Sequence, residues 1–300
     1  MIERLALGTV QFGQDYGIAN TTGKILEHEV FAILDHAGKA GISRLDTATA
    51  YGHSEAIIGK YLKNSSCRFD IVSKLPPLER YLSGTEALLL RSTMERLGGK
   101  QLYGYLVHRF DDFRKYQPLW EGMQGLRKRK LIKKIGFSLY QCEELEILLD
   151  QKTEFDIVQV PYSIFDRRFE SYFSVLRKKG VEIQARSVFL QGLVFFPSKD
   201  LPVFFERARP SLASLEQIAR ENDLSINSIC LNFVLANSSV DKVIIGVDSL
   251  EHLKADIATL KDLGRVETIY PRLQELKIED EEILLPFKWP AREDILCKPR

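Results

Sequence analysis

Short apolar runs recur along the chain at nearly regular intervals, and each is followed by a longer segment in which apolar residues have helical spacing. The short runs are rich in Val, Ile, Leu and aromatic residues, and several are almost continuously apolar. Such runs are typical of parallel strands that are covered on both faces. We predict strands at residues 5–9, 42–46, 69–73, 103–107, 134–138, 156–160, 181–185 and 242–245.

The longer segments carry apolar residues three and four positions apart, which is the repeat of one helix face. In the first of them, the stripe from Val30 to Ala37 is followed by Gly41, a residue suited to ending a helix. Another stripe, at residues 87–97, is followed by two glycines. We predict helices at these two places, at residues 57–62 and 250–260, near 117–130, 141–149, 165–178 and 210–221, and in the second half of 222–236.

Eight strands, each followed by a helix, over about 260 residues predict an α/β fold, the (β/α)8 or TIM barrel, as a single domain over residues 1–300. An open, doubly wound sheet is the alternative. A nucleotide-binding sheet of that kind often has the sequence GxGxxG after its first strand. Here the first strand runs into GTVQFG at residues 8–13. From about residue 265 the chain is expected to form a C-terminal tail.

Composition excludes several classes of protein. The chain has 42 Lys and Arg against 41 Asp and Glu, a net charge of +1, which argues against a basic nucleic-acid-binding face. It has no run of ~18 apolar residues that would span a membrane, and no signal peptide is recognised at its start. No cysteine pair or Cys/His cluster has metal-binding spacing, so we expect no metal and a cytoplasmic location. The cysteines are Cys67, Cys142, Cys230 and Cys297.

Polar residues end the predicted strands, and in a barrel the loops at the carboxyl ends of the strands form the active site. The second, third and fourth strands end at Asp46, Lys74 and His108. Because these strands are neighbours, their last side chains are expected to meet in one mouth. The later strands end at Ser138, Gln159, Arg186 and Gly246.

These residue types suit the reduction of a carbonyl group. Asp46 and Lys74 can pair, and the Lys74 ammonium is expected to lower the pKa of Tyr51 so that its phenol gives a proton near neutral pH. His108 is expected to donate a hydrogen bond to the carbonyl oxygen as negative charge develops there. No side chain supplies a hydride, so a nicotinamide cofactor is implied.

Seven segments resemble the aldo-keto reductase superfamily, in the order and at the spacing of that family. The resemblance covers nearly the whole chain and implies a barrel without a Rossmann domain. It also implies reversible, NAD(P)H-dependent interconversion of carbonyl and alcohol, with a catalytic tetrad of Asp46, Tyr51, Lys74 and His108. The segments are LGTVQFG at 7–13, DTATAYGHSE at 46–55, SKL at 73–75, VHR at 107–109, IGFS at 135–138, QVPYSIFDRR at 159–168 and VIIGVDSLEHL at 243–253.

The resemblance further implies a cofactor site in the same mouth. Ser138 and Gln159 match residues that bind the nicotinamide carboxamide, although Leu139 replaces an Asn that usually follows the serine. Arg186 stands where the family often has an aromatic ring stacked on the nicotinamide. We expect its guanidinium to stack there; the alternative is that it binds a substrate carboxylate or phosphate. The cofactor-binding set is Thr9, Asp46, Ser138, Gln159, Arg186, Ser187, Phe189, Gln191, Gly192, Gly246, Ser249, His252 and Asp256.

The cofactor preference is expected to depend on the helix after the eighth strand, whose N-terminus suits the adenosine phosphate. NADPH-specific relatives usually have Lys or Arg at one or more of the positions held here by Gly246, Asp248 and His252. This chain has neither Lys nor Arg at those three positions. Asp248 would repel a 2′-phosphate, and Asp256 replaces the usual Asn near the adenine. Family habit keeps NADP(H) slightly ahead, with NAD(H) or dual use as the alternative.

Two functions remain open. The intact tetrad favours an active enzyme that acts on a small-molecule carbonyl, and the alternative is a noncatalytic cofactor-binding sensor or regulatory subunit. Arg109, Asp111 and Asp112 form a charged rim after His108, which favours a polar or sugar-like substrate over a steroid. The first loop, residues 11–24, either folds over the substrate mouth or merely connects two elements. A monomer without a nucleic-acid or membrane partner is expected.

Overall fold

Eight parallel strands close into one barrel in the computed structural model, which describes residues 1–99 and 101–296. Each strand pairs with the next along the chain, and the first pairs with the eighth. The predicted fold and all eight predicted strands are therefore confirmed. The strands are β1 Leu5–Gly8, β2 Arg44–Asp46, β3 Asp70–Lys74, β4 Leu102–Val107, β5 Ile132–Ser138, β6 Ile157–Pro161, β7 Glu182–Arg186 and β8 Lys242–Gly246. Cys297 lies outside the described residues.

Helices surround the barrel, and among the described residues none is long and apolar enough to cross a membrane. They are α1 Val10–Gly13, α2 Glu27–Ala40, α3 Ser54–Asn64, α4 Thr85–Arg96, α5 Phe110–Lys115, α6 Pro118–Lys128, α7 Cys142–Asp150, α8 Phe173–Lys178, α9 Arg209–Glu221, α10 Ile226–Ala236, α11 Leu250–Ala258, α12 Leu263–Gln274, α13 Glu281–Leu284 and α14 Arg292–Leu296.

Helix α2 shows why the apolar repeat was a reliable signal. The predicted stripe from Val30 to Ala37 is buried against the barrel. Gly41 ends the helix with a φ of 98°, a left-handed conformation that glycine adopts without steric cost.

Two helices differ from the prediction. The helix expected at 165–178 is α-helical only from Phe173, because the Asp166 side chain accepts hydrogen bonds from the Arg168 backbone and side chain and fixes a turn before it. The segment expected to form a tail from about residue 265 contains α12. This helix packs on α10, where the rings of Tyr270 and Phe233 stack with centroids 4.7 Å apart.

A buried ion network closes the amino-terminal end of the barrel. Glu182, the first residue of β7, accepts hydrogen bonds from Arg44 at 3.0 Å, Lys134 at 2.7 Å and the Tyr103 hydroxyl at 2.5 Å. Burial alone would raise the pKa of Glu182, but these donors, together with Gln184, hold it at about 2. These ion pairs occupy the amino-terminal end of the barrel, and the polar strand ends lie at the opposite rim.

Candidate active site

Asp46, Lys74 and Tyr51 meet at the carboxyl end of the barrel. Lys74 Nζ lies 2.8 Å from both carboxylate oxygens of Asp46 and 3.2 Å from the Tyr51 hydroxyl oxygen. It also donates to the Thr47 carbonyl at 3.0 Å. Asp46 and Lys74 are the last residues of neighbouring strands and are buried. The pairing that the sequence predicted is therefore present.

Close backbone packing fixes the loop that carries Tyr51. A Cβ atom at Gly13 would lie 1.7 Å from the Tyr51 carbonyl oxygen, and one at Gly52 would lie 2.5 Å from the Gly13 carbonyl oxygen. Gly52 also has a φ of 56°. Below the loop, Ser54 Oγ donates to Thr9 Oγ1 at 2.8 Å. The glycines of both sequence segments are thus needed for α1 and the Tyr51 loop to touch.

The expected lowering of the Tyr51 pKa is not found. Burial, the Asp46 carboxylate and Tyr140 raise the pKa of Tyr51 well above 10, and Arg186 only partly opposes them. The Lys74 cation was expected to dominate, but the Asp46 carboxylate neutralises it and burial removes water from the phenol. Tyr51 is therefore held in its protonated form.

His108 follows β4 and faces Tyr51, with the two rings edge to face at a centroid distance of 6.0 Å. Its burial, together with the charges of Lys74 and Arg186, lowers the pKa of the imidazole to about 3. His108 is consequently neutral at physiological pH. A neutral imidazole can still donate one hydrogen bond, although it cannot act as a strong acid.

A cavity of about 500 Å³ runs from this cluster to the start of α11. Most of the predicted site residues line it: Thr9, Asp46, Tyr51, His108, Ser138, Arg186, Ser187, Phe189, Gln191, Gly192, Gly246, His252 and Asp256. Lys74 and Gln159 lie beneath Asp46, to which Gln159 Nε2 donates at 2.7 Å. The Ser249 hydroxyl is directed elsewhere, since it caps α11 by accepting from the His252 backbone N–H at 3.1 Å.

The first loop covers the cavity rather than merely connecting two elements. Its Tyr16, Gly17, Ala19 and Asn20 line the cavity wall, whereas Phe12 is buried in the core. The backbone N–H of Ile18 donates to the Gln191 carbonyl at 3.0 Å and joins the loop to the segment after β7.

The segment after β7 has an unusual backbone. Ser187, Leu190 and Gln191 have φ values of 62°, 43° and 52°, in the left-handed region that side chains rarely adopt. Such residues concentrate at ligand sites, where the surroundings enforce them. The turn requires glycine at position 192, because a Cβ atom there would lie 2.6 Å from Cβ of Ala19 in the first loop.

Unpaired polar atoms around the cavity fit a nicotinamide dinucleotide. Eleven buried side-chain nitrogen and oxygen atoms in the described residues have no hydrogen-bond partner, and six of them belong to the cavity wall or its floor. Buried polar groups are nearly always paired, so these six make the cavity suited to a polar ligand. They are Gln11 Oε1, His108 Nδ1, Gln159 Oε1, Arg186 Nε, Asn227 Oδ1 and Asp248 Oδ1. The resemblance assigns the carboxamide to Ser138 and Gln159, and Gln159 Oε1 is one of these six atoms.

Several residues in the cavity wall had not been singled out by the sequence. Tyr140 lies two residues after Ser138, and the Arg186 guanidinium packs on its ring with Cζ 4.0 Å from the centroid. Gln11 and Asn227 line the opposite end. Tyr140 follows a predicted strand closely enough to have been noticed. Asn227 gives no such signal, because it lies on a helix.

At the α11 end the cavity has two acidic walls. The Asp248 carboxylate lies 4.0 Å from His252 Nδ1, and burial raises the pKa of Asp248. Burial also raises the pKa of Asp256 to about 7, with Asn227 acting in the opposite direction. Among the described residues, Arg186 is the single Lys or Arg that lines the cavity.

A barrel with this cluster beside a cavity of dinucleotide size defines an oxidoreductase that acts on carbonyl or alcohol groups. The sequence model of the Aldo/keto reductase family matches residues 4–269, and the chain belongs to that family. It is therefore an NAD(P)-dependent oxidoreductase.

Individual relatives are distant. The uncharacterized oxidoreductase YqkF of Bacillus subtilis is 24% identical over 77% of this chain and 82% of its own length. The NADH-specific methylglyoxal reductase of Escherichia coli is 23% identical over 86% of this chain and 90% of its own length. The holo form of aldo-keto reductase AKR11C1 from Bacillus halodurans has the same fold, with a TM-score of 0.73 and 21% identity over 92% and 93% of the two chains.

Proposed function

We propose that this protein reduces a small polar aldehyde or ketone to the alcohol, reversibly, with Tyr51 as the general acid. The observation that carries the proposal is the contact of Lys74 Nζ with both Asp46 oxygens and with the Tyr51 hydroxyl, at 2.8 and 3.2 Å. This arrangement holds a protonated phenol and a neutral imidazole at one end of a single cavity.

The chemistry divides between the cofactor and the chain. When bound, the cofactor supplies the hydride that adds to the carbonyl carbon. The carbonyl oxygen becomes an alkoxide, which is basic enough to take the proton of Tyr51 despite the raised pKa of that phenol. The tyrosinate left behind is stabilised by the Lys74 ammonium, while Asp46 keeps the ammonium in place. His108 orients the carbonyl by donating a hydrogen bond to its oxygen.

The cofactor proposed is NADH. Family resemblance put NADP(H) slightly ahead, and that preference stays a prediction. The wall at the adenosine end supports NADH instead, because within residues 1–99 and 101–296 it offers Asp248 and Asp256 to the ligand and no Lys or Arg. A relative named as an NADH-specific methylglyoxal reductase is consistent with this choice.

The first experiment is a fluorescence titration of the purified protein with NADH and with NADPH, followed by turnover assays with methylglyoxal, glyceraldehyde and a ketosteroid. Saturable binding of a cofactor and reduction of the two small polar carbonyls would support the proposal. Cofactor binding without turnover of any carbonyl would favour a sensor or regulatory subunit. Turnover of the steroid alone would overturn the assigned substrate class.

A further inference from the structure

Arg186 is a partly buried cation without a counter-ion among the described residues. Its guanidinium donates to the Leu139 carbonyl at 2.8 Å and to Ser187 Oγ at 3.1 Å, and both acceptors are neutral. Arg186 Nε is buried and has no partner. A guanidinium has five N–H donors, so three remain for a ligand.

The nearby carboxylates are already engaged. Asp46 accepts from Lys74 and from Gln159. Glu144 is close enough for Arg186 to influence its titration, but its Oε2 accepts the backbone N–H groups of Tyr140 and Gln141 at 2.7 and 3.0 Å. The cavity beside Tyr51 therefore has an excess of positive charge. The depressed pKa of His108, to which Lys74 and Arg186 both contribute after burial, reflects the same field.

Aromatic packing restrains the Arg186 guanidinium on one side. Tyr140 covers one face of Arg186, and Phe287 packs edge to face on Tyr140 with centroids 5.3 Å apart. Because Tyr140 occupies one face of the guanidinium, the opposite face and the N–H edge are left for a ligand. The N–H edge of a planar guanidinium is suited to the two oxygens of a carboxylate or phosphate.

We infer that Arg186 determines substrate specificity by binding an anionic group, a carboxylate or a phosphate, carried by the same molecule as the reacting carbonyl. The inference rests on the proposed function and narrows its substrate class to anionic aldehydes and ketones. Hydride and proton transfer proceed as described above, and Arg186 forms and breaks no covalent bond.

The test compares matched substrates that differ in charge. Succinic semialdehyde is paired with butanal, and glyceraldehyde 3-phosphate with glyceraldehyde, so the two pairs distinguish a carboxylate from a phosphate. In the wild type, kcat/KM for one anionic member should exceed that for its neutral partner by about tenfold or more. The readout is the ratio of the two kcat/KM values within each pair, because a change in cofactor binding affects both substrates of the pair.

Three variants decide the role of Arg186. Arg186→Gln removes the charge and should bring the ratio close to one. Arg186→Lys keeps the charge without the planar fork and should retain part of the preference. Arg114→Gln is the matched control, because Arg114 is an exposed arginine that does not line the cavity; its ratio should equal that of the wild type.

Other results would overturn the inference. A wild-type ratio of anionic to neutral kcat/KM near one would do so. A ratio that Arg186→Gln leaves unchanged while the Kd of NADH rises would also do so, since Arg186 would then bind the cofactor. If no carbonyl is reduced, the proposed function itself fails. Calorimetric titration with succinate and inorganic phosphate still decides the anion site: binding by the wild type that Arg186→Gln loses supports it, and equal or absent binding refutes it.

Discussion

The Tyr51 hydroxyl has one cation 3.2 Å away and an imidazole ring beside it. Tyr51→Phe removes the proton but keeps the ring, so it should lower kcat by about 10²- to 10⁴-fold, the usual contribution of general acid catalysis. The Kd of NADH should stay nearly the same. Single-turnover kinetics and fluorescence titration measure the two quantities. A variant with the full rate would show that Tyr51 is not the acid.

Asp248 offers a second test at a single residue. One of its carboxylate oxygens is buried without a partner, on the cavity wall beside α11. Asp248→Arg should raise the ratio of kcat/KM for NADPH to that for NADH by about tenfold or more, since it replaces a repelling charge with an attracting one. Asp248→Asn, which only removes the charge, should give a smaller shift. An unchanged ratio in both variants would place the 2′-oxygen elsewhere.

At the scale of elements, the contact between α1 and the Tyr51 loop is the most constrained in the site. Gly13→Ala would place a methyl group 1.7 Å from the Tyr51 carbonyl oxygen. The loop must then move, so kcat should fall, and the free energy of unfolding should drop by about 1–3 kcal/mol, as for other overpacked sites. Steady-state kinetics and urea denaturation measure both effects.

Gly264→Ala is the matched control for that substitution. Gly264 lies on α12 with no atom within 4 Å of an added Cβ, and its φ is not positive. Alanine should leave the kinetics unchanged there and raise helix stability by up to about 1 kcal/mol. If Gly13→Ala behaves like Gly264→Ala, the position of the Tyr51 loop does not depend on this contact.

The elements that the sequence predicted correctly are those whose signal is local. The eight strands are short apolar runs, and α2 has both a buried stripe and a glycine at its end. The start of α8 was missed because a side-chain turn at Asp166 competes with the helix. Helix α12 was missed because Pro271 lies in its last turn, while the contact of Tyr270 with Phe233 that stabilises it joins distant parts of the chain.

At the scale of the whole molecule, the site shows the same difference between features with a local sequence signal and features that depend on contacts between distant segments. Asp46, Lys74 and His108 could be predicted as site residues from their positions at strand ends, because the barrel brings neighbouring ends together. The sequence could not show that Arg186 packs on Tyr140, since this contact joins the loops after β5 and β7. Nor could it show the raised pKa of Tyr51, which depends on how completely several elements bury the phenol.

Stability of the whole barrel should depend on pH through Glu182. Its pKa is about 2 when folded and 4.5 in its ordinary state, so its contribution is complete above about pH 4.5 and disappears as the pH falls through 2. Glu182→Gln should lower the free energy of unfolding at pH 7 by about 3 kcal/mol, and by less as the pH approaches 2. It also replaces the carboxylate 3.0 Å from the buried Arg44 guanidinium with a neutral amide, which leaves Asp70 at 3.6 Å as the ion partner of Arg44.

Denaturation curves at several pH values measure this effect. Glu279→Gln is the control, because Glu279 pairs with Lys277 on the surface, with 81% of its side chain exposed, and such pairs contribute little. A constant difference between Glu182→Gln and the wild type at all pH values would mean that the loss comes from packing and not from the charge of Glu182.

Strand β7 has its two functions at opposite ends, with Glu182 in the buried ion network and Arg186 on the cavity wall. Inherited changes at Arg186 can therefore alter the substrate range without weakening the barrel. Changes at Glu182 would weaken the barrel without altering the substrate range. A lineage built this way can diversify its chemistry one strand end at a time. Laboratory selection for new substrates would start from Arg186 and leave Glu182 untouched.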